Sequence, residues 1–435
     1  MREGVGKTMS FLNLLNEDLQ KKWTFPSTMP IQDQMIPALL DGKDVVAESP
    51  TGTGKTLAYL LPILQKVDGT KKATQALIVA PSQELCMQIV EVIRTWITGT
   101  NITVVPLIGG ANPQRQIEKL KKKPTIAVGT PGRLNELVNE KKLKVHELKT
   151  IVLDEGDQLL SRDYRVIVKS FIDGADHDRQ VAVVSATITD EIELVAKRML
   201  HDPIRLQVKL DDTLSGGKVV HSFIKLQERD KTEYLRKLSN VSGVRGLAFV
   251  NNLDQVLMKK SKLEFRNAPI VALHSEMKKE ERKASLDSFR KGEARILIAT
   301  DIAARGLDIE GLTHVIHVDV PYTKEQYVHR SGRTGRAGAD GEVITLLSYH
   351  EEQAYHKRLR ELSIKPVEKI WSNGQLVEGH QEITQARKQT KSNGNFKAQT
   401  KKRNESSSFG SSFKDSKKKK YPAKKSKKTN MKRGN

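Results

Sequence analysis

The chain has 435 residues, 37% of them hydrophobic, one cysteine and a formal net charge of +22. That length exceeds a single compact core and predicts two or three domains. No stretch approaches the roughly 20 apolar residues of a membrane span, the first residues read without an export signal, and the lone Cys86 excludes an internal disulfide. A reducing, cytoplasmic setting and a polyanionic partner, nucleic acid first, are therefore expected.

Residues 1–10 read as a short extension whose "GVGKT" (Gly4 to Thr8) imitates a phosphate loop. Only three residues precede it, so no strand can feed that loop. From 11 to 208, short β-branched runs alternate with longer amphipathic stretches. The runs are Asp44-Val45-Val46-Ala47, "ALIVA" from 76, "VVPLI" from 104, "TIAVG" from 125, "TIVLD" from 150 and "VAVVS" from 181. Near-continuous apolar runs of this length suit strands buried on both faces of a parallel sheet, with helices as crossovers. "KLDDTLSGGKV" then breaks the pattern, and 209–217 reads as a linker. The rhythm resumes over 218–366 with "SFIKL" from 222, "GLAFV" from 246, "PIVAL" from 269, "RILIA" from 295, "HVIHVDV" from 314 and "VITLL" from 343. The expectation is an α/β protein of two tandem domains, with ligands beyond the carboxyl ends of the strands.

The remainder, 367–435, reads as a basic low-complexity tail that buries too little apolar surface to fold. Between Gln381 and Asn435 it holds 18 Lys and Arg against three acids, which leaves only +7 for the other 380 residues. On charge it reads as an RNA-binding arm in preference to the alternative, a solubilising tail. Five of its cations on single-strand phosphates would steepen the salt dependence of binding by about 3.5 log units per decade.

"SPTGTGKT", Ser49 to Thr56, lies between a strand and the helix-forming "LAYLLPILQKV". Gly52 and Gly54 let backbone N–H groups turn toward phosphate oxygens, Lys55 can reach the terminal phosphates, and the Thr56 hydroxyl suits Mg²⁺. The usual first glycine is Ser49. "TIVLDEGDQLL" then puts Asp154, Glu155 and Asp157 directly after an apolar run. In a phosphate-loop enzyme a second strand ends in a carboxylate that holds Mg²⁺ through water, which fits Asp154. Glu155 could orient or deprotonate an attacking water, while Asp157 needs a different partner.

Taken together, these motifs resemble the DEAD-box family of ATP-dependent RNA helicases, superfamily 2. The resemblance covers about residues 11–350, in order and spacing. It rests on "SPTGTGKT", "PSQEL" from Pro81, Gly109-Gly110, "TPGR" from Thr130, "DEGD", Ser185-Ala186-Thr187, "FVNN" from Phe249, "ATDIAARGLDI" from Ala299 and "YVHRSGRTGRAG" from Tyr327. It implies two RecA-like domains, each a mostly parallel sheet flanked by helices, followed by the disordered tail.

It also implies roles. Ser49, Pro50, Thr51, Gly52, Thr53, Gly54, Lys55 and Thr56 would wrap the phosphates of ATP, Phe25 and Gln32 would take the adenine, and Asp308 the ribose. Thr56 and Asp154 would hold Mg²⁺. Lys55, Asp154, Glu155, Arg333 and Arg336 would carry catalysis, the two arginines reaching across the cleft to the γ-phosphate. Asp157, Ser185, Thr187 and His329 would couple the domains. Pro81, Gln83, Gly109, Gly110, Thr130, Gly132, Arg133, Asn251, Arg282, Thr300, Asp301 and Gly306 would meet RNA.

Six positions depart from the family pattern: Thr24 for Gly and Met29 for Thr in "TFPSTMPIQ", Ser49 for Ala, Gln83 for Arg, Gly156 for Ala and Lys279 for Gln. Function is expected as local RNA strand separation or particle remodelling by a monomer, with RNA and ribosomal precursor particles as partners and no membrane. A DNA translocase on the same engine and a non-enzymatic RNA clamp are the alternatives. Ribosome assembly in a bacterial cytoplasm is the setting suggested by analogy, a eukaryotic nucleolus its rival.

Overall fold

The computed structural model describes residues 11–379 apart from 51, 111, 209–216, 275, 305, 306, 308, 310, 336–338 and 373. Thr51, Gly306, Asp308 and Arg336 therefore lie outside the described residues, as do the expected 1–10 extension, the linker up to 216 and the chain from 380 onward.

In the first lobe, β1 (Val45–Glu48), β2 (Ala76–Val79), β3 (Val104–Leu107), β4 (Ile126–Gly129), β5 (Thr150–Asp154), β6 (Gln180–Ser185) and β7 (Ile204–Gln207) form one parallel sheet, ordered β3-β4-β2-β5-β6-β1-β7. In the second, β8 (Val219–Lys225), β9 (Gly246–Phe249), β10 (Ile270–Leu273), β11 (Ile296–Ala299), β12 (His314–His317), β13 (Gly341–Leu347), β14 (Val367–Ser372) and β15 (Gln375–Glu378) are ordered β10-β11-β9-β12-β13-β8-β14-β15. All of its pairings are parallel except β14 with β15. Central strands such as β2, β4, β5 and β9 are buried along their whole length. Each sheet carries an apolar cluster on either face, sealed by the crossover helices that parallel pairing requires.

The strand order explains why distant motifs meet. β6 lies between β5 and β1, with Ser185 opposite Glu48 and Val184 opposite Asp154. The loops leaving β1, β5 and β6 therefore emerge side by side, at the carboxyl edge where ligands of such sheets bind.

The expected end of the second domain at 366 is corrected. β14 extends the sheet beside β8, and the hairpin with β15 continues order to Glu378. Trp371 packs edge-on against Tyr234 at 6.2 Å, with the Lys237 ammonium 5.5 Å from its ring centroid, which anchors a segment whose composition reads as tail.

Candidate active site

β1 delivers the chain into the loop 49–54, and the helix Lys55–Lys66 follows. Gly52 and Gly54 adopt φ of +81° and +80°, a region that favours glycine. A Cβ on Gly54 would lie 2.4 Å from Gln32 Nε2, so glycine is also what lets the helix Pro30–Leu40 approach. Gln32 Nε2 donates to the Gly54 carbonyl at 3.3 Å, and its Oε1 accepts the Met29 N–H at 2.9 Å. Met29 occupies the N-cap without a side-chain oxygen to return that bond. Phe25 is about half exposed, its ring edge-on to Trp23 at 5.0 Å. Inside the loop, the Ser49 and Thr53 hydroxyls bond at 2.6 Å, Thr53 donates to the Pro50 carbonyl, and Lys55 Nζ donates to the Ser49 carbonyl at 2.7 Å. Burial lowers the Lys55 pKa, against the opposing pull of Asp154, Glu155 and Asp157.

The three carboxylates at the end of β5 face three different environments. Asp154 is buried; its Oδ1 accepts the Glu155 N–H and its Oδ2 accepts the Tyr59 hydroxyl, both at 2.9 Å. Burial raises the Asp154 pKa, Lys55 opposes that, and Glu155 adds to it. Tyr59 is fully buried on the helix after the phosphate loop. Sequence reasoning passed over it, although a tyrosine in the apolar run "LAYLLPIL" signals a hydroxyl that needs a partner. Glu155 holds a left-handed backbone at φ +55°, a strained conformation of the sort found at functional sites. Its Oε2 accepts from Gln158 at 2.9 Å, and its Oε1 lies 4.0 Å from Arg333 of the second lobe.

Asp157 accepts the Ser185 hydroxyl at 2.8 Å and the Thr187 hydroxyl at 3.3 Å, with His329 Nε2 3.1 Å away. Burial would raise its pKa, but His329 and Ser185 outweigh that and hold the carboxyl below the usual range. Thr187 and His329 are themselves 3.2 Å apart. A cavity of about 320 Å³ opens beside this junction, lined by Asp157, Gln158, Phe249, Tyr322, His329 and Arg333. Arg333 also donates to the Leu307 carbonyl at 3.1 Å.

The residues expected on RNA divide. Gln83 begins the helix Gln83–Ile97, capped by Ser82, and its amide would lie 3.4 Å from a Cβ on Gly109 and 3.6 Å from one on Gly110. These positions, with half-buried Pro81, share one surface. Gly132 faces open space after Thr130, at the start of the helix Pro131–Asn139. Arg133 pairs with Glu136 at 2.7 Å and bonds Gln116. The Thr300 hydroxyl accepts the Ala303 N–H.

Three residues implied for RNA also have partners within the protein. Asp301 binds Arg330 through both carboxylate oxygens at 2.7 and 2.6 Å, and Asn251 Oδ1 accepts from the same buried guanidinium at 2.8 Å. Both hold Arg330 over the Phe249 ring, and Asp301 also lines the cavity beside the junction. Arg282 pairs with Glu84 of the first lobe at 2.7 Å and donates to the Ala303 carbonyl. Nothing in the sequence distinguishes Glu84 from an ordinary acid in the first turn of a helix.

Comparison with known proteins agrees with this geometry. The family model for DEAD/DEAH box helicases matches residues 29–195, and that for the helicase conserved C-terminal domain matches 230–338. The chain is 45% identical over 373 residues to the probable ATP-dependent RNA helicase YfmL of Bacillus subtilis, covering 85% of this chain and 99% of that one. It is 44% identical over 366 residues to the DEAD-box ATP-dependent RNA helicase CshC of Bacillus cereus, covering 83% and 93%. The structure of S. cerevisiae Dbp5 bound to RNA and ADP BeF3 matches with a TM-score of 0.72 at 26% identity, over 88% of this chain and 99% of that chain. The phosphate loop, the carboxylate cluster that meets the second lobe and these relatives lead to one conclusion: the chain belongs to the DEAD-box ATP-dependent RNA helicases, enzymes that hydrolyse ATP.

Proposed function

We propose that this helicase works as a cytoplasmic monomer that parts short RNA duplexes or remodels RNA–protein particles, with ribosomal precursors as substrates. The observation that carries the reading is the division of labour at the end of β5. Asp154 faces Tyr59 and the Lys55 side of the cleft, Glu155 faces Arg333, and Asp157 meets Ser185, Thr187 and His329.

Lys55 leaves the Ser49 carbonyl to take the terminal phosphates, while Phe25 and Gln32 hold the adenine and Asp308 the ribose. The oxygen donors fit Mg²⁺: a buried carboxylate on Asp154 and the Thr56 hydroxyl would hold it, the rest of its shell coming from water and phosphate. Bound there, the ion would neutralise phosphate charge. Glu155 orients the attacking water, and Arg333 with Arg336 stabilises the charge that develops. Pro81, Gln83, Gly109, Gly110, Thr130, Gly132, Arg133, Thr300 and Gly306 grip the RNA backbone. Because each ligand touches both lobes, binding of one favours the other.

The RNA in the yeast neighbour and the Bacillus relatives support the bacterial RNA reading. The 18 Lys and Arg between Gln381 and Asn435 support a bulky polyanionic substrate such as a ribosomal precursor. RNA should stimulate phosphate release and DNA of equal length should not. Lys55→Ala should cut the stimulated rate by about a hundredfold or more. Equal stimulation by DNA, or an undiminished rate in the variant, would defeat the proposal.

A further inference from the structure

At the amino ends of the first sheet, opposite the nucleotide, a cavity of about 220 Å³ opens between the strand edge and two helix ends. Lys121, Lys123, Lys141, Lys142 and Lys144 surround it, with Glu147 as their acidic companion, and Thr74, Ile117, Leu120 and Leu143 form its floor. Lys144 and Glu147 are 3.8 Å apart; the other four lysines form no ion pair among the described residues. Five ammonium groups against one carboxylate leave a local charge of +4. Lysines do favour helix C-termini, and those of Pro113–Lys121 and Pro131–Asn139 point here. Each end supplies about half a negative charge, so the two offset only about one of the four.

The backbone adds a second observation. Lys123 and Lys141 follow those helix ends with φ of +52° and +56°. Glycine adopts this conformation freely and lysine only under strain. The chain thus keeps a charged side chain at both positions where glycine fits better, and both line the same cavity.

We propose that this cavity is a second RNA site, which takes backbone phosphates of a duplex arm outside the clamp. Exposed lysines on flexible stems, with no aromatic ring among them to stack a base, suit sequence-independent phosphate contact. The inference rests on the RNA reading above. It places a second anchor on the same lobe as the clamp, at the far edge of its sheet.

The test uses the full chain carrying Lys121→Gln, Lys123→Gly, Lys141→Gly and Lys142→Gln. The two glycines relieve positive-φ strain, so the variant should fold at least as well as the parent. Two RNAs are compared: a short single strand, and the same strand joined to a long hairpin. ATPase stimulation by the short strand should be unchanged. Affinity for the hairpin RNA should fall at least tenfold, and the slope of log K against log salt should flatten by about 2 to 3. Ultraviolet crosslinking of the parent chain to the hairpin should label the peptides spanning 119–144. Unchanged hairpin affinity, crosslinks confined to the clamp, or a loss confined to binding of anionic phospholipid vesicles would overturn the proposal. If neither RNA stimulates the parent enzyme, it is the underlying function that fails.

Discussion

At the scale of single residues, Tyr59 ties the helix after the phosphate loop to the carboxylate that closes β5. Removing its hydroxyl leaves a buried oxygen of Asp154 without its donor, and hydrogen bonds to charged groups contribute about 1.5–3 kcal/mol. Tyr59→Phe should therefore lower stability by about that amount and shift the Mg²⁺ dependence of the ATPase to higher concentration. A magnesium titration superimposable on the parent's would remove Tyr59 from the site. Gly156 offers a second test. A Cβ there would lie 2.4 Å from Val183 Cγ1, so the methyl that the family carries at this position collides with a stiff β-branched side chain. Gly156→Ala should cost about 1–3 kcal/mol. The double variant with Val183→Ala should cost less than the sum of the two single costs. Strict additivity in denaturant unfolding would contradict the assignment. Glycine here is thus matched to its valine rather than a loosened version of the family motif.

At the scale of elements, the helix Lys324–Ser331 concentrates the second lobe's polar interior. Tyr327 bonds His221 at 2.8 Å and packs edge-on against His317, while Arg330 lies buried one turn on. Burial pushes the His221 imidazole down to about 4. His317 is likewise held well below the ordinary range by burial, by Arg330 and by His221. A histidine lowered in the folded state binds its proton first in the unfolded chain, whose value is about 6.5. Stability is therefore complete above about 6.5 and declines as pH falls toward 4, by roughly 3 kcal/mol for His221 alone. Denaturant unfolding across that window should show the decline, and His317→Asn should flatten it. A flat parent profile would mean that neither imidazole is shielded as described.

The same scale shows what the sequence could and could not reveal. β1 to β6 and β8 to β13 were legible as apolar runs, most of them because burial on both faces leaves few polar positions, although β3 at a sheet edge is buried only at alternate residues. β7 is half exposed at a sheet edge and alternates Ile204-Arg205-Leu206-Gln207, so it offers no such run. β14 and β15 lie at the opposite margin, where Trp371 folds the segment back through a partner more than 130 residues earlier in the chain. At the site, the partners of Asp157 came only through the family resemblance, while Lys55 and Asp154 were readable from local spacing. Glu84, Asn251 and Asp301 were not, since their partners are set by how remote segments pack.

For the molecule as a whole, the two sheets are joined chemically at Asp157, Thr187 and His329, with Glu155–Arg333 and Glu84–Arg282 beside them. On the proposed function, this junction is the switch through which nucleotide and RNA sense one another. Coupling of this kind is reciprocal and typically 5- to 150-fold, about 1–3 kcal/mol. The most direct measurement is the dissociation constant for a short single-stranded RNA, with and without a non-hydrolysable ATP analogue, in the parent and in His329→Ala. The parent should bind RNA at least fivefold tighter with the analogue, and the variant should lose most of that gain while its nucleotide-free RNA affinity stays the same. A variant that keeps the full gain would mean that the switch lies elsewhere.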